Sequence, residues 1–169
     1  MKRFFAGSLF VLLALSGCAH NLLSDKSSAQ VDSSIPFSDL QKNPDAYRGK
    51  MVILGGGIAG VTSLNDGIQI EVIHYNLDAR QMPVEASGSG GRFLAFLPES
   101  LGKTTNLSRC KRGVLVSLAG EVTGKKVLLL KGADYTYPVI TVSEISFIKA
   151  IDEDTLRTWE PPLEGAPGF

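Results

Sequence analysis

A glycine-rich apolar stretch, M-V-I-L-G-G-G-I-A-G at residues 51–60, constrains the fold of this chain more than any other feature. Gly55, Gly57 and Gly60 have the G-x-G-x-x-G spacing that holds a pyrophosphate at the start of a helix in dinucleotide-binding proteins. Here only V-T-S-L separates Gly60 from the turn signal N-D-G at 65–67, so a crossover helix has no room. The glycines are therefore predicted to bend a long β-strand.

Strand patterns dominate residues 37–151. The segment I-Q-I-E-V-I-H-Y alternates between apolar and polar positions, and two later apolar runs flank Gly124, which we predict to be a second hairpin turn. Short helices are predicted for residues 37–43, with Ser38 as the N-cap, and within residues 98–106. The whole pattern predicts a mainly β fold, a small OB-like antiparallel β-barrel with one or two short helices. Three side chains are expected to close one end of this barrel: Phe37, Leu40 and Tyr47.

The N-terminus has the features of an export signal. Two basic residues precede an apolar run of about a dozen residues, which is shorter than the ~20 that a membrane-spanning helix requires. The run ends in L-S-G-C at residues 15–18, which resembles the bacterial lipobox, where cleavage between Gly17 and Cys18 exposes a cysteine that carries a diacylglyceryl group. We therefore predict a lipoprotein signal peptide at residues 1–17. Lipid on Cys18, with a further acyl chain such as palmitate on its amine, would anchor the chain permanently.

Two flanking segments are expected to lack a fold of their own. Residues 18–36 are rich in serine and predict a lipidated N-terminus followed by a flexible tether, with a root-mean-square span of roughly 20–25 Å. Residues 152–169 contain three prolines and predict an irregular C-terminal tail. Ala19 follows the lipidated cysteine in place of the Asp that commonly retains lipoproteins in the inner membrane. This residue favours the outer membrane.

The charge and the few cysteines and histidines exclude several functions. The chain has 17 basic and 17 acidic residues and no basic stripe, which argues against a nucleic-acid partner. With Cys18 lipidated, Cys110 is left as a lone thiol beside basic side chains, and we interpret it as a tolerated loop residue. We expect no metal site, no cofactor besides the covalent lipid and no enzymatic activity. A hydrolase would require His74 to approach Cys110 or a serine, with an acid behind it.

Taken together, these segments resemble the Slp family of outer-membrane lipoproteins. The resemblance rests on the lipobox, on N-P-D-A-Y-R-G-K-M-V-I-L-G-G-G-I at residues 43–58, and on Y-T-Y-P-V-I at residues 135–140. It covers about residues 16–150. It implies a small lipoprotein tethered to the periplasmic face of the outer membrane, linked with starvation and stress, and without an established enzymatic activity.

Two functions stay open at this point. The preferred hypothesis is a docking module that binds an envelope protein or a cell-wall partner through the loop region 75–92 and the aromatic segment 135–137. Its candidate residues are Tyr75, Arg92, Tyr135 and Tyr137. The alternative is a carrier of a small apolar ligand, which requires a concave apolar pocket and would be excluded by a barrel filled with Val, Ile and Leu. An exposed apolar patch would favour docking.

Overall fold

The computed structural model describes residues 22–148 apart from 33 and 88. The helices are α1 (Asp25–Gln30), α2 (Phe37–Lys42) and α3 (Glu99–Gly102). The strands are β1 (Met51–Leu64), β2 (Gly67–Leu77), β3 (Pro83–Val84), β4 (Gly91–Pro98), β5 (Leu115–Leu130) and β6 (Ala133–Ile148). No helix of this part is long and apolar enough to cross a membrane. The predictions for the signal peptide, for Gly17 and Cys18, and for the chain beyond residue 148 lie outside the described residues.

Five of the strands close into a barrel. The order is β1-β5-β6-β4-β2, and β2 pairs back with β1. All neighbours are antiparallel except β4 and β6, which pair in parallel through Leu94 and Val139. This arrangement is the five-stranded Greek-key barrel of an OB-fold, as the sequence predicts. Its described part carries three short α-helices and three single-turn 3₁₀ helices, where the sequence predicts one or two short helices.

The glycine segment lies within β1, as predicted, and is followed by strand rather than helix. Gly55, Gly56 and Gly57 pair with β2 on one side and with β5 on the other. A Cβ atom on Gly56 would lie 1.7 Å from the carbonyl oxygen of Ile73, so only glycine fits there. The register to β2 shifts between Ile58 and Gly60, which is the bulge expected in a strand that bends around a barrel.

Apolar side chains fill the interior of the barrel. Phe37 and Leu40 of α2 are buried in this core and Tyr47 packs against it, which confirms the predicted closure of one end. The helix begins at Phe37, the first residue of the predicted range, but Pro36 rather than Ser38 occupies the N-cap position. The strands supply the rest of the core: Val52, Leu54, Ile58, Ile70, Val72, Phe93, Ala95, Leu97, Val116, Leu118, Val122, Ile140, Val142 and Phe147.

The prediction of a second hairpin turn at Gly124 was wrong. Gly124 lies inside β5, where the register to β6 shifts between Val122 and Gly124. Its φ of 139° favours glycine, and the Arg48 guanidinium lies 2.4 Å from where a Cβ would stand, so it would have to move for a larger residue. The chain turns instead at Lys131 and Gly132, whose positive φ angles of 52° and 86° are typical of a type I′ hairpin. The β5–β6 hairpin is consequently longer than the sequence suggested.

Residues 22–36, which we call the strap, are not the flexible tether predicted for residues 18–36, because they are bound to the barrel. Ser24 caps the N-terminus of α1 by accepting a hydrogen bond from the Ser27 backbone. Leu23 is only 2% exposed, and Ser24 and Ser27 donate hydrogen bonds to Glu144 on β6. A serine-rich composition suggests a solvated chain, but here the hydroxyl groups donate hydrogen bonds to the Glu144 carboxylate on the barrel wall. Residues 18–21 lie outside the described part.

The adjacent glycines of β1 provide a matched test of barrel closure. We expect Gly56→Ala to lower the free energy of unfolding by roughly 3 kcal/mol or more, since the methyl group meets backbone rather than a movable side chain. Gly57→Ala should change it by less than about 1 kcal/mol, because its Cβ would make ordinary contacts with side chains, Tyr75 at 3.4 Å and Leu115 at 3.9 Å. Urea unfolding of the chain from residue 19, followed by circular dichroism, measures both. Equal losses would contradict the closure argument.

Candidate functional site

Three of the four predicted surface residues meet on the outer face of β2, β4 and β6. The Arg92 guanidinium lies 2.7 Å from one carboxylate oxygen of Glu71. The Tyr137 hydroxyl donates to the same oxygen at 3.0 Å. Tyr135 packs edge-to-face on Tyr137, with ring centroids 4.7 Å apart. Together with Gln41 of α2 these residues form what we call the tyrosine–carboxylate cluster.

Strand alternation positions the charged members of this cluster. Glu71 lies between the buried residues Ile70 and Val72 of β2, so its side chain points outward. Arg92 precedes the buried Phe93 of β4 and points to the same side. The two strands are paired with Glu71 opposite Leu94 and Ile73 opposite Arg92, which makes the two charged residues diagonal neighbours.

Tyr135 ties three elements together through its hydroxyl group. The oxygen accepts a hydrogen bond from the side-chain amide of Gln41 and a second, of 2.7 Å, from the backbone N–H of Arg92. These bonds connect the start of β6 to α2 and to the start of β4. The cluster therefore fixes the β6 arm of the β5–β6 hairpin within a few residues of its turn at Lys131 and Gly132.

The electrostatics of the cluster favour a structural role over acid–base chemistry. Burial, together with the hydrogen bond and the negative charge of Glu71, raises the pKa of Tyr137 to about 12. The phenol thus stays protonated and keeps donating to the carboxylate at physiological pH. Glu71 is satisfied by Arg92 and Tyr137 together, so each of the two charges already has its partner.

The other arm of the hairpin is held by the segment that precedes β1. The Arg48 guanidinium donates to the carbonyl oxygen of Thr123 at 2.6 Å and to the Asp45 carboxylate at 2.9 Å. Asp45 also lies 3.0 Å from the Lys125 ammonium group. The Gly124 bulge sits against Arg48 between these contacts. The hairpin is consequently held on both arms. We call these two sets of contacts, the tyrosine–carboxylate cluster on β6 and the Asp45–Arg48 contacts on β5, the braces of the hairpin.

The fourth predicted residue, Tyr75, is elsewhere. Its ring lies over Gly57, and burial followed by the charge and hydrogen bond of Glu85 raises its pKa. Sequence analysis missed Glu71 and Gln41. An acid at an outward position of the alternating strand I-Q-I-E-V-I-H-Y was an available signal for Glu71. Nothing local marks Gln41, whose contact with Tyr135 spans 94 residues.

The arrangement required for a hydrolase is not found in the described residues. The His74 ring stacks on Phe37, with ring centroids 3.9 Å apart and planes 5° apart, and burial lowers its pKa to about 4. Burial raises the pKa of the Cys110 thiol. Both shifts oppose a thiolate–imidazolium pair. No group of three His, Cys, Asp or Glu side chains within 22–148 could hold a metal ion.

Two open grooves flank the strap. One, of about 510 Å³, is lined by the strap residues Ile35 and Pro36, by Phe37, and by Leu77 and other barrel residues. The other, of about 440 Å³, is lined from Ser28 to Ile35 on one side and by Leu77 and Gln81 on the other. Because apolar side chains fill the interior of the barrel, any small ligand would have to bind in surface grooves such as these.

Removing the Tyr135 hydroxyl tests the brace. We expect Tyr135→Phe to lower the free energy of unfolding by roughly 1–3 kcal/mol, because the Gln41 amide and the Arg92 N–H lose their acceptor. Amide hydrogen exchange should also accelerate in residues 126–136. Tyr47→Phe is the matched control, since no hydrogen bond involves the Tyr47 hydroxyl in the described part, and it should change stability by less than about 0.5 kcal/mol.

Burial of neutral His74 predicts a pH dependence of stability. Its pKa falls from the ordinary 6.5 to about 4, so between these values the unfolded chain binds a proton that the folded chain does not. The free energy of unfolding should therefore decrease as the pH falls from 6.5 to 4, by roughly 3 kcal/mol in all. His74→Phe should remove this slope. A slope unchanged in the variant would mean that other groups cause it.

Comparison with known proteins gives one family and several distant structures. No curated protein sequence matches significantly. The mitochondrial single-stranded DNA-binding protein Rim1 of S. cerevisiae is 11% identical, with 62% of this chain and 99% of that chain covered, at a TM-score of 0.41. The small single-stranded DNA-binding protein of Streptomyces coelicolor is 17% identical, with 59% and 94% covered, at 0.41. OBody NL8, bound to hen egg-white lysozyme, is 18% identical, with 61% and 98% covered, at 0.36.

The family match covers most of the chain. The outer membrane lipoprotein Slp family matches residues 15–163. This range includes the L-S-G-C sequence, the glycine segment of β1, both braces of the hairpin and the strap. The resemblance that the sequence motifs suggest is thereby confirmed. The chain belongs to the Slp family of outer membrane lipoproteins.

Proposed function

We propose that this protein is a non-enzymatic docking module, held by lipid on Cys18 at the periplasmic face of the outer membrane, that binds an envelope protein through its β5–β6 hairpin. The observation that carries the proposal is a hairpin held on both arms, with apolar residues exposed on β5 on either side of Leu128, the residue that pairs with Tyr135. Val127 and Leu129 are 52% and 72% exposed. The lipid anchor and the association with starvation or stress rest on the lipobox and on the family alone.

The exposed pair has the geometry of a binding surface. Val127 and Leu129 are two residues apart on β5, so their side chains lie on the same face of the hairpin. Scattered apolar residues are normal on a protein surface, but a neighbouring pair on a braced protrusion presents a contiguous apolar patch. Since the braces hold the arms in place beforehand, a partner would not have to order the hairpin on binding.

The open edge of β5 indicates what kind of partner fits. β5 pairs with β1 only from Leu115 to Glu121, so no described strand pairs with its outer edge from Lys125 to Leu130. Such an edge can accept an extended strand from another protein through main-chain hydrogen bonds. Lysines at 125, 126 and 131 protect it from pairing with a second copy. This geometry favours a polypeptide partner over a cell-wall glycan.

The second candidate is a carrier of a small apolar ligand. The filled barrel interior counts against a ligand inside it. The groove of about 510 Å³ beside the strap favours a ligand on its surface, because Pro36, Phe37 and Leu77 contribute apolar walls. Some OB-folds bind nucleic acids. Nothing supports such a partner here, since Arg92 is already paired with Glu71 on the outer face.

Photo-crosslinking in intact cells tests the docking proposal. A photoreactive amino acid in place of Leu129 should give one discrete protein adduct, whereas the same residue in place of Val84, which is 39% exposed, should give none. Val127→Asp should reduce the Leu129 adduct at least several-fold, because a charge enters the apolar contact. Cys18→Ala should weaken it as well, since the partner is then no longer held at the same membrane.

Three outcomes would count against docking by the hairpin. These are an adduct from Val84 as strong as that from Leu129, an adduct insensitive to Val127→Asp, and no adduct at all from a chain shown to be folded and in the outer membrane. In the last case, a thermal-shift screen of envelope lipids, with Pro36→Ser as the groove variant, would test the carrier instead.

A further inference from the structure

The strap ends on a defined spot of the barrel wall. Its first described residue, Leu22, donates its backbone N–H to the carbonyl oxygen of Arg80 at 3.2 Å. The next N–H, of Leu23, donates to the side-chain oxygen of Gln81 at 3.1 Å. The amide nitrogen of Gln81 in turn donates to the Ser28 hydroxyl at 2.9 Å. The turn after β2 therefore holds both ends of this part of the strap.

Glu144 of β6 provides the second attachment. Its carboxylate accepts from the Ser24 backbone at 2.9 Å, from the Ser24 hydroxyl at 2.7 Å and from the Ser27 hydroxyl. Partial burial alone would raise the pKa of Glu144, but these hydrogen bonds outweigh it and lower the pKa. The carboxylate thus stays charged and keeps accepting from the strap at neutral pH.

The far end of the strap is fixed at β1. The Asp32 N–H donates to the carbonyl oxygen of Met51 at 3.0 Å, and the Asp32 carboxylate lies 3.6 Å from the Lys50 ammonium group. Leu23, only 2% exposed, adds apolar burial near the beginning. Contacts thus hold the strap from its first described residue to the start of the barrel.

The length of chain before the strap limits how far the lipid can be. Cys18 precedes Leu22 by four residues, and four residues of any conformation span at most about 14 Å. The polar layer on each side of a bilayer is itself about 5–8 Å thick. An acylated Cys18 at that layer would therefore keep Leu22, and the wall on which it lies, close to the lipid headgroups.

From these contacts we propose that the strap face, which comprises α1 and the turn residues 78–81, lies against the phospholipid headgroups of the outer membrane and fixes the orientation of the barrel. This rests on the lipid attachment proposed above. The chemistry of the face agrees: Asp25 and Lys26 are exposed on α1, and Arg80 is exposed beside Asp78. Balanced charges without exposed large apolar groups match a face that touches headgroups and does not insert.

The same orientation determines where the hairpin lies. Glu144, beneath the strap, and Tyr137, in the tyrosine–carboxylate cluster, are seven positions apart on β6, which corresponds to about 23 Å of strand. The tip at Lys131 and Gly132 lies further along the same direction. A domain seated on its strap face therefore has its hairpin well removed along β6 from the strap attachment.

Depth-dependent quenching tests this orientation on the full lipidated chain. Single cysteines replace residues Lys26, Arg80 or Leu129 in a Cys110→Ser background, and each carries a fluorophore on vesicles of phosphatidylethanolamine and phosphatidylglycerol. A nitroxide on the lipid headgroup should quench the labels at 26 and 80 several-fold more than the label at 129. A twenty-residue Gly-Ser insertion between His20 and Asn21 should remove this difference while the protein still floats with the vesicles.

Glu144→Ala provides a second, independent variant. Without the carboxylate, the strap loses one of its three attachments, so quenching at 80 should fall part of the way toward the level at 129, while the label at 26 stays near the headgroups. Equal quenching at all three positions of the otherwise unaltered chain, with flotation intact, would overturn the orientation only. Failure of the purified full chain to float with the vesicles would overturn the lipid anchor and with it the proposed function.

Discussion

The close approach of three strands at Gly55, Gly56 and Gly57 is the constraint on which the barrel depends. At these residues β1 pairs with β2 and β5 at once, and this double pairing closes the sheet. The backbone of β2 occupies the space of a side chain at Gly56, while Leu77 and Pro83 cover Gly55 from outside. Larger residues would separate the strands and open the core to water. The glycines thus have a steric role, and their resemblance to a dinucleotide-binding loop is incidental.

Closure of the barrel brings distant segments against both arms of one hairpin. Asp45 and Arg48 hold β5 from the segment before β1, and Glu71 and Arg92 hold β6 from the opposite side. Both chain segments that carry the family resemblance, residues 43–58 and 135–140, contribute to these braces. These interactions satisfy one another among the described residues. Their physical consequence is a rigid, partly apolar protrusion.

The strap would restrict how far the barrel can move from the proposed lipid anchor. A free tether of eighteen residues would let the barrel rotate and sample about 20–25 Å of space. A strap bound by Glu144, Gln81 and the backbone of β1 leaves only three residues between Leu22 on the barrel wall and Cys18. In the proposed arrangement, the lipid on Cys18 sets both the distance and the direction of the domain. For a docking protein, this orientation reduces the freedom that is lost when the partner binds.

The sequence alone determined the features that depend on neighbouring residues, and hence the barrel. These are the alternating strands, the glycine segment within β1, the N-D-G turn, and the closure of one barrel end by Phe37 and Leu40. It also indicated Arg92, Tyr135 and Tyr137 as surface candidates, but not that they meet. Only the tertiary structure decided the contacts of Glu71 with Tyr137, of Gln41 with Tyr135 and of Ser24 with Glu144, which span 66, 94 and 120 residues. Gly124 was mistaken for a turn because its positive φ serves a bulge against Arg48. Such partners depend on how the closed barrel arranges its strands in space, and no local pattern records that arrangement.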